Sequence, residues 1–164
     1  MIVFRKIIEW VEEKLKIIGA ACLVGMALLT CADVTGRFFR HPILGSMEIV
    51  GFMAIITVAM ALPYTHRIGG HVGVEILVRR FSERTQTIID IITRALSIFL
   101  FAIVTWQMAL YALSMQRSGE VSMNLELPVY VIIYITSFCL LILTLAILQE
   151  TFGHIKKLKS LKKQ

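Results

Sequence analysis

Asp33 and Arg37 stand four residues apart in an otherwise apolar tract, a spacing that puts both side chains on one face of a helix. An ionised side chain at the centre of a bilayer costs about 2.5–3.5 kcal/mol, so two charges in such a tract are expected to pair and to recruit a third group. Glu48, beyond a connection containing Pro42 and Gly45, is the nearest candidate. Two chemistries fit these three residues: a structural clamp across a helical hairpin, or a proton or ion site. The second calls for a carboxylate nearer mid-helix than Asp33, so the clamp is the expectation.

The remaining chemistry-bearing residues exclude more than they suggest. His66 and His71 flank Gly69 and Gly70, but a zinc site needs three or four ligands and no nearby Cys or third His supplies them, so an interfacial turn is expected. His41, His66, His71 and His154 all fall at segment ends or in connections, which argues against bis-histidine haem ligation. Cys22, Cys31 and Cys139 lie within apolar runs without metal-ligand spacing and read as small buried apolar residues. With no GxSxG, no glycine-rich phosphate loop and no nucleophile beside a plausible base, the expectation is a protein without enzyme activity, metal or cofactor.

The elements that must position these residues are membrane spans. Of the 164 residues, 57% are hydrophobic, and with the ten glycines the share is about 63%, against ~45–50% in soluble domains. Charged residues make up 17% and cluster in a few stretches. Four apolar segments approach the ~20 residues that cross a bilayer, at about 17–39, 48–66, 88–115 and 128–148. They lack the alternation of a membrane barrel. An all-α integral membrane protein with four transmembrane helices in one domain is the expected fold. The first segment is longer than a signal-peptide core and is preceded by charges up to Lys16, so it reads as a retained helix.

Charge asymmetry orients the bundle. Arg5, Lys6, Lys14 and Lys16, then Arg67, Arg79, Arg80 and Arg84, then Lys156, Lys157, Lys159, Lys162 and Lys163 fall on one side, thirteen in all. Arg37, Arg40 and Arg117 fall on the other, and Arg94 lies within a helix. The positive-inside rule then predicts cytoplasmic termini, a cytoplasmic second connection, and first and third connections outside. The basic tail, 154–164, reads as a topology and lipid anchor rather than a nucleic-acid site.

Two further stretches carry helical amphipathicity. Phe4, Ile7, Ile8, Val11, Leu15 and Ile18 recur at helical spacing, with Glu9, Glu12, Glu13 and Lys16 on the other face. In the second connection, Val74, Leu77, Val78 and Phe81 form an apolar stripe beside Glu75, Arg79 and Arg80, and Ser82 can cap the helix that follows. Both are expected to lie at the membrane surface, against lipid or a partner protein. Outside, the third connection carries Arg117, Glu120, Asn124 and Glu126 before Pro128 opens the last helix. Together with Arg40, the charges Arg117, Glu120 and Glu126 are candidate contacts for an extracytoplasmic partner.

Three local signatures carry a resemblance across most of the chain. They are Asp33-Val34-Thr35-Gly36-Arg37-Phe38-Phe39 followed by Pro42 and Ser46-Met47-Glu48; His71-Val72-Gly73-Val74-Glu75; and Glu126-Leu127-Pro128. With four helices and both ends inside, the chain resembles the small membrane subunit, DctQ type, of tripartite ATP-independent periplasmic (TRAP) transporters. It departs from that pattern in having Glu75 where Asp is common and Tyr130 where Trp is frequent. The resemblance implies a bacterial inner-membrane scaffold held in a stable complex with a large elevator-type subunit. It also implies transient contact with a periplasmic substrate-binding protein and sodium-driven uptake of an organic acid. The chain shows no broken helix pairs or inverted repeats of its own. A self-sufficient small four-helix exporter and an assembly subunit of another membrane complex are the alternatives.

Overall fold

The computed structural model describes residues 2–68 and 83–161. Along the first helix, Ile8, Glu12, Leu15, Gly19, Cys22, Met26, Leu29 and Asp33 are buried or half-buried, in alternating steps of four and three. That is the seam of a helix packed along its whole length against a neighbour. The helix, α1, runs unbroken over Ile2–Phe38, so the amphipathic lead-in forms its opening turns. Glu12 departs from the expected polar face: it lies on the seam and is 2% exposed.

The other helices are α2 (Ser46–Arg67), α3 (Glu83–Ser118) and α4 (Val129–Leu161). All four are long and apolar enough to cross a membrane. The stripe proposed at Val74, Leu77, Val78 and Phe81, with His71, Glu75, Arg79 and Arg80, lies outside the described residues, as do the Ser82 cap and residues 162–164.

Two antiparallel hairpins, α1/α2 and α3/α4, join through α2 and α4, giving the lateral order α1, α2, α4, α3. Helix α4 is therefore central. Within its most apolar stretch 44% is buried, against 11%, 17% and 6% for α1, α2 and α3. Leu15, Ala59, Cys139 and Ile142 form one core cluster, and Leu140, Leu143 and Ile147 a second against Leu62, Ile98, Phe101 and Met108. Burial agrees with the apolar reading of Cys139, but Cys31 is exposed on α1.

Small residues set the close approaches. A Cβ on Gly19 would sit 3.3 Å from Met60 Cβ and 3.4 Å from the Thr57 carbonyl, so α1 meets α2 nearly backbone to backbone there. Ser137, buried on α4, donates to the Thr105 carbonyl of α3 at 3.1 Å. The hydroxyls of Thr30, Thr35, Thr65 and Thr144 donate to carbonyls four residues back, whereas the buried Thr57 hydroxyl has no partner among the described residues. These bonds satisfy their hydroxyls within their own helices, as an apolar solvent requires.

Candidate functional site: two carboxylate clamps and a charged helix end

The 39–45 and 119–128 connections share one end of the bundle, here the loop end. Helix α1 stops there in a Schellman turn: His41 N–H donates to the Gly36 carbonyl at 2.8 Å and Arg40 N–H to the Arg37 carbonyl at 3.1 Å. Arg40 occupies the left-handed position, φ 62, where glycine is the usual choice. Gly36 is required by contact instead, since a Cβ would stand 2.5 Å from the His41 carbonyl oxygen.

That turn folds the connection over Asp33, which is 4% exposed. One carboxylate oxygen accepts from Arg37 Nε at 2.8 Å and the other from the Ile43 backbone N–H at 3.0 Å, with the buried Ser46 hydroxyl facing the same carboxylate. The third partner of the Asp33–Arg37 pair is thus a backbone amide of the connection. Asp33 holds the end of α1 to the chain that enters α2.

Glu48 does not complete this cluster, which corrects the three-residue clamp expected from the sequence. In the first turn of α2, its carboxylate accepts from Ser122 Oγ at 2.9 Å, Asn124 N–H at 2.8 Å, Asn124 Nδ2 at 2.9 Å and Leu125 N–H at 3.1 Å. The physical reason is the donor supply. The 122–125 turn presents two backbone N–H groups that have no helix or sheet to bond, and a carboxylate can take several such donors at once.

The turn itself is built to present them. Ser122 N–H bonds the Leu127 carbonyl at 2.9 Å and Leu127 N–H returns to Ser122 Oγ at 3.2 Å, while Val121 bridges Pro128. Leu125 then covers Gly45, whose Cβ would lie 2.5 Å from Leu125 Cγ. Gly45 also sits at φ 75 as the N-cap of α2, so it answers both a left-handed backbone and a close approach. Two clamps result, one on each connection: Asp33 of α1 holds 39–45, with Ser46 of α2 beside it, and Glu48 of α2 holds 122–125.

Of the candidate partner contacts, Arg40, Arg117, Glu120 and Glu126 are all exposed at this end. Around them stand Phe38, Leu44, Met47 and Met123, exposed by 83%, 86%, 71% and 98%.

The opposite, terminal end is charged where helices meet. Glu150 of α4 accepts from Arg94 Nη1 of α3 at 2.9 Å and lies 3.4 Å from His66 Nε2 of α2. Arg67 of α2 reaches α1, with Nε 3.4 Å from Glu12, Nη2 3.6 Å from Glu13 and Nη1 donating to the Glu9 carbonyl at 3.3 Å. Lys16 and Arg67 both lie over the Tyr64 ring, 4.1 and 4.9 Å from its centre. Sequence reasoning passed over this set, and His66 belongs to it rather than to a turn. A separation of 56 residues hides the Arg94–Glu150 pair; the visible signal is only that Arg94 and Glu150 stand just inside the ends of their apolar spans, Ile91–Ser118 and Val129–Thr151. Among the described residues no group of three or more His, Cys, Asp or Glu is placed to hold a metal ion.

A four-helix bundle with spans on this scale and charges confined to its two ends is a multi-pass membrane protein whose polar groups join helices and connections. The chain belongs to the DctQ family, the DctQ component of tripartite ATP-independent periplasmic transporters, whose model matches residues 26–157. It is a transporter component. No curated protein gives a significant match.

Proposed function

We propose that this chain is the small membrane subunit of a sodium-driven, binding-protein-dependent transporter for an organic acid, and that it acts as the fixed scaffold beside a large, moving membrane subunit. The observation that carries the reading is the pair of carboxylate clamps, Asp33 on Ile43 and Glu48 on residues 122–125, which tie one connection of the loop end to α1 and the other to the first turn of α2. A scaffold needs such ties, because a moving partner can be guided only by a surface that does not yield.

The loop end faces the periplasm in this reading, with Arg40, Arg117, Glu120 and Glu126 available to a substrate-binding protein in transient contact. The termini lie in the cytoplasm of a bacterial cell whose inner membrane holds the complex. Val74, Leu77, Val78 and Phe81, with His71, Glu75, Arg79 and Arg80, fix the second connection in the inner leaflet, and the basic tail adds attraction to anionic lipid.

Reconstitution tests this. Uptake of an organic acid into proteoliposomes is expected only with the large subunit, this chain, the binding protein and an inward sodium gradient together. Asp33→Ala is expected to reduce both co-purification of the large subunit and uptake. Robust flux through this chain alone would overturn the reading in favour of a self-sufficient carrier.

A further inference from the structure

Helix α3 is the least covered of the four, with 6% of its apolar stretch buried. It meets α4 through Phe101, Thr105, Met108 and Ala112. On a different face, Leu100, Val104, Gln107, Tyr111 and Ser114 follow at steps of four, three, four and three, all exposed. Gln107 is the anomaly in that row. In the span Ile91–Ser118 it lies close to the midpoint, and eleven residues of helix put it about 16 Å from the loop-end terminus.

The span is about 42 Å long against a ~30 Å hydrocarbon core, so with the span centred Gln107 lies about 4 Å from the midplane, well inside the hydrocarbon. A glutamine side chain is too short to snorkel to water from there, and its amide makes no hydrogen bond among the described residues. Lipid tails offer neither donor nor acceptor, so an exposed primary amide at this depth marks a surface that protein covers. The exposed face of α1 provides the contrast. Its polar residues Thr30 and Thr35 donate to the Met26 and Cys31 carbonyls, each at 2.8 Å, and leave nothing unsatisfied.

We propose that the α3 face formed by Leu100, Val104, Gln107, Tyr111 and Ser114 docks against a transmembrane helix of the large subunit, which presents a hydrogen-bonding group to the Gln107 amide at mid-bilayer. The proposal rests on the reading of this chain as the small subunit. Membership in a multi-component transporter family supplies a partner other than lipid or a second copy of the chain. Helix α1, satisfied within itself, faces lipid.

The test places a photo-crosslinking side chain at position 107 or, separately, at position 28 of α1, where Leu28 is 66% exposed. Cells co-produce the large subunit and the binding protein, and adducts are identified by mass spectrometry. An adduct with the large subunit, several-fold stronger from position 107 than from position 28, is expected. A large-subunit adduct from position 28 alone would overturn the docking face. So would an adduct from position 107 with a second copy, or with lipid only, while the large subunit still co-purifies; in each case the subunit reading stands. Failure of the unsubstituted chain to hold the large subunit would overturn both. Gln107→Leu, a change on the exposed surface of the chain, is expected to lower co-purification by about 3- to 20-fold; an unchanged yield would contradict the role given to the amide.

Discussion

The two ends of the bundle are held by different chemistry. At the loop end, carboxylates of Asp33 and Glu48 accept from backbone N–H groups at 2.8–3.1 Å, so what they hold is the path of the chain. At the terminal end, Arg67 reaches Glu12 and Glu13 at 3.4 and 3.6 Å, side chain to side chain between helices, and even its bond to the Glu9 carbonyl is made from the tip of a long side chain. A backbone amide has no rotamers to change and its position is set by the turn, whereas long side chains can exchange partners as helices shift. The loop end is therefore expected to be the stiffer end, and the terminal end to resist separation of its helices while tolerating small sliding.

Several substitutions would break or sharpen this contrast. The largest effect is expected from Glu48→Ala, which strips the acceptor from three residues of the 122–125 turn. Opening of that connection should raise its cleavage, for instance by a glutamate-specific protease at the exposed Glu120 or Glu126, on the order of tenfold, while helix content by circular dichroism stays unchanged. Unaltered cleavage would mean that the turn stands without Glu48.

Gly45→Ala comes next, at about 1–3 kcal/mol in detergent unfolding, because its Cβ meets Leu125 and its backbone is left-handed. In a Leu125→Ala background the steric part should vanish, leaving about 1 kcal/mol for the backbone. Full additivity of the two changes would deny the contact between the connections.

Glu150→Gln, which weakens the tie to Arg94 and His66, should cost only about 0.5–1 kcal/mol, the range of partly exposed pairs, and the loss should shrink at high salt. Its side chain is 36% exposed, which places the effect toward the lower end of that range. A loss larger than that of Gly45→Ala, or one indifferent to salt, would reverse the ranking of the two ends.

How far the sequence discloses this arrangement follows from how local each interaction is. Four spans are legible because hydropathy is a property of twenty consecutive residues. The Asp33–Arg37 pair is legible because four residues make one helical turn. The partners of Glu48 lie 74 to 77 residues away, and no local pattern points from one connection to the other. The seam of α1 is legible only in part: Ile8 and Leu15 of the apolar stripe lie on it, but it also passes through Glu12, Gly19, Cys22 and Asp33, while Ile7 and Ile18 of the same stripe are exposed by 54% and 47%. In a membrane the exposed face is the apolar one, and burial goes to small and polar residues that close packing and pairing require. The DctQ signatures around Asp33, Gly36 and Glu48 fall on the double clamp and the turn that serves it.

The central claim, that the loop end is a rigid unit, is tested most directly by the distance between its two connections. Spin labels at Leu44 and Met123, both exposed, would report it by pulsed dipolar spectroscopy in the assembled transporter. One narrow distance distribution, identical with and without sodium and substrate and broadened by Glu48→Ala, is the predicted result. A distribution that is broad in the unsubstituted chain, or that shifts when sodium and substrate are added, would contradict the scaffold account.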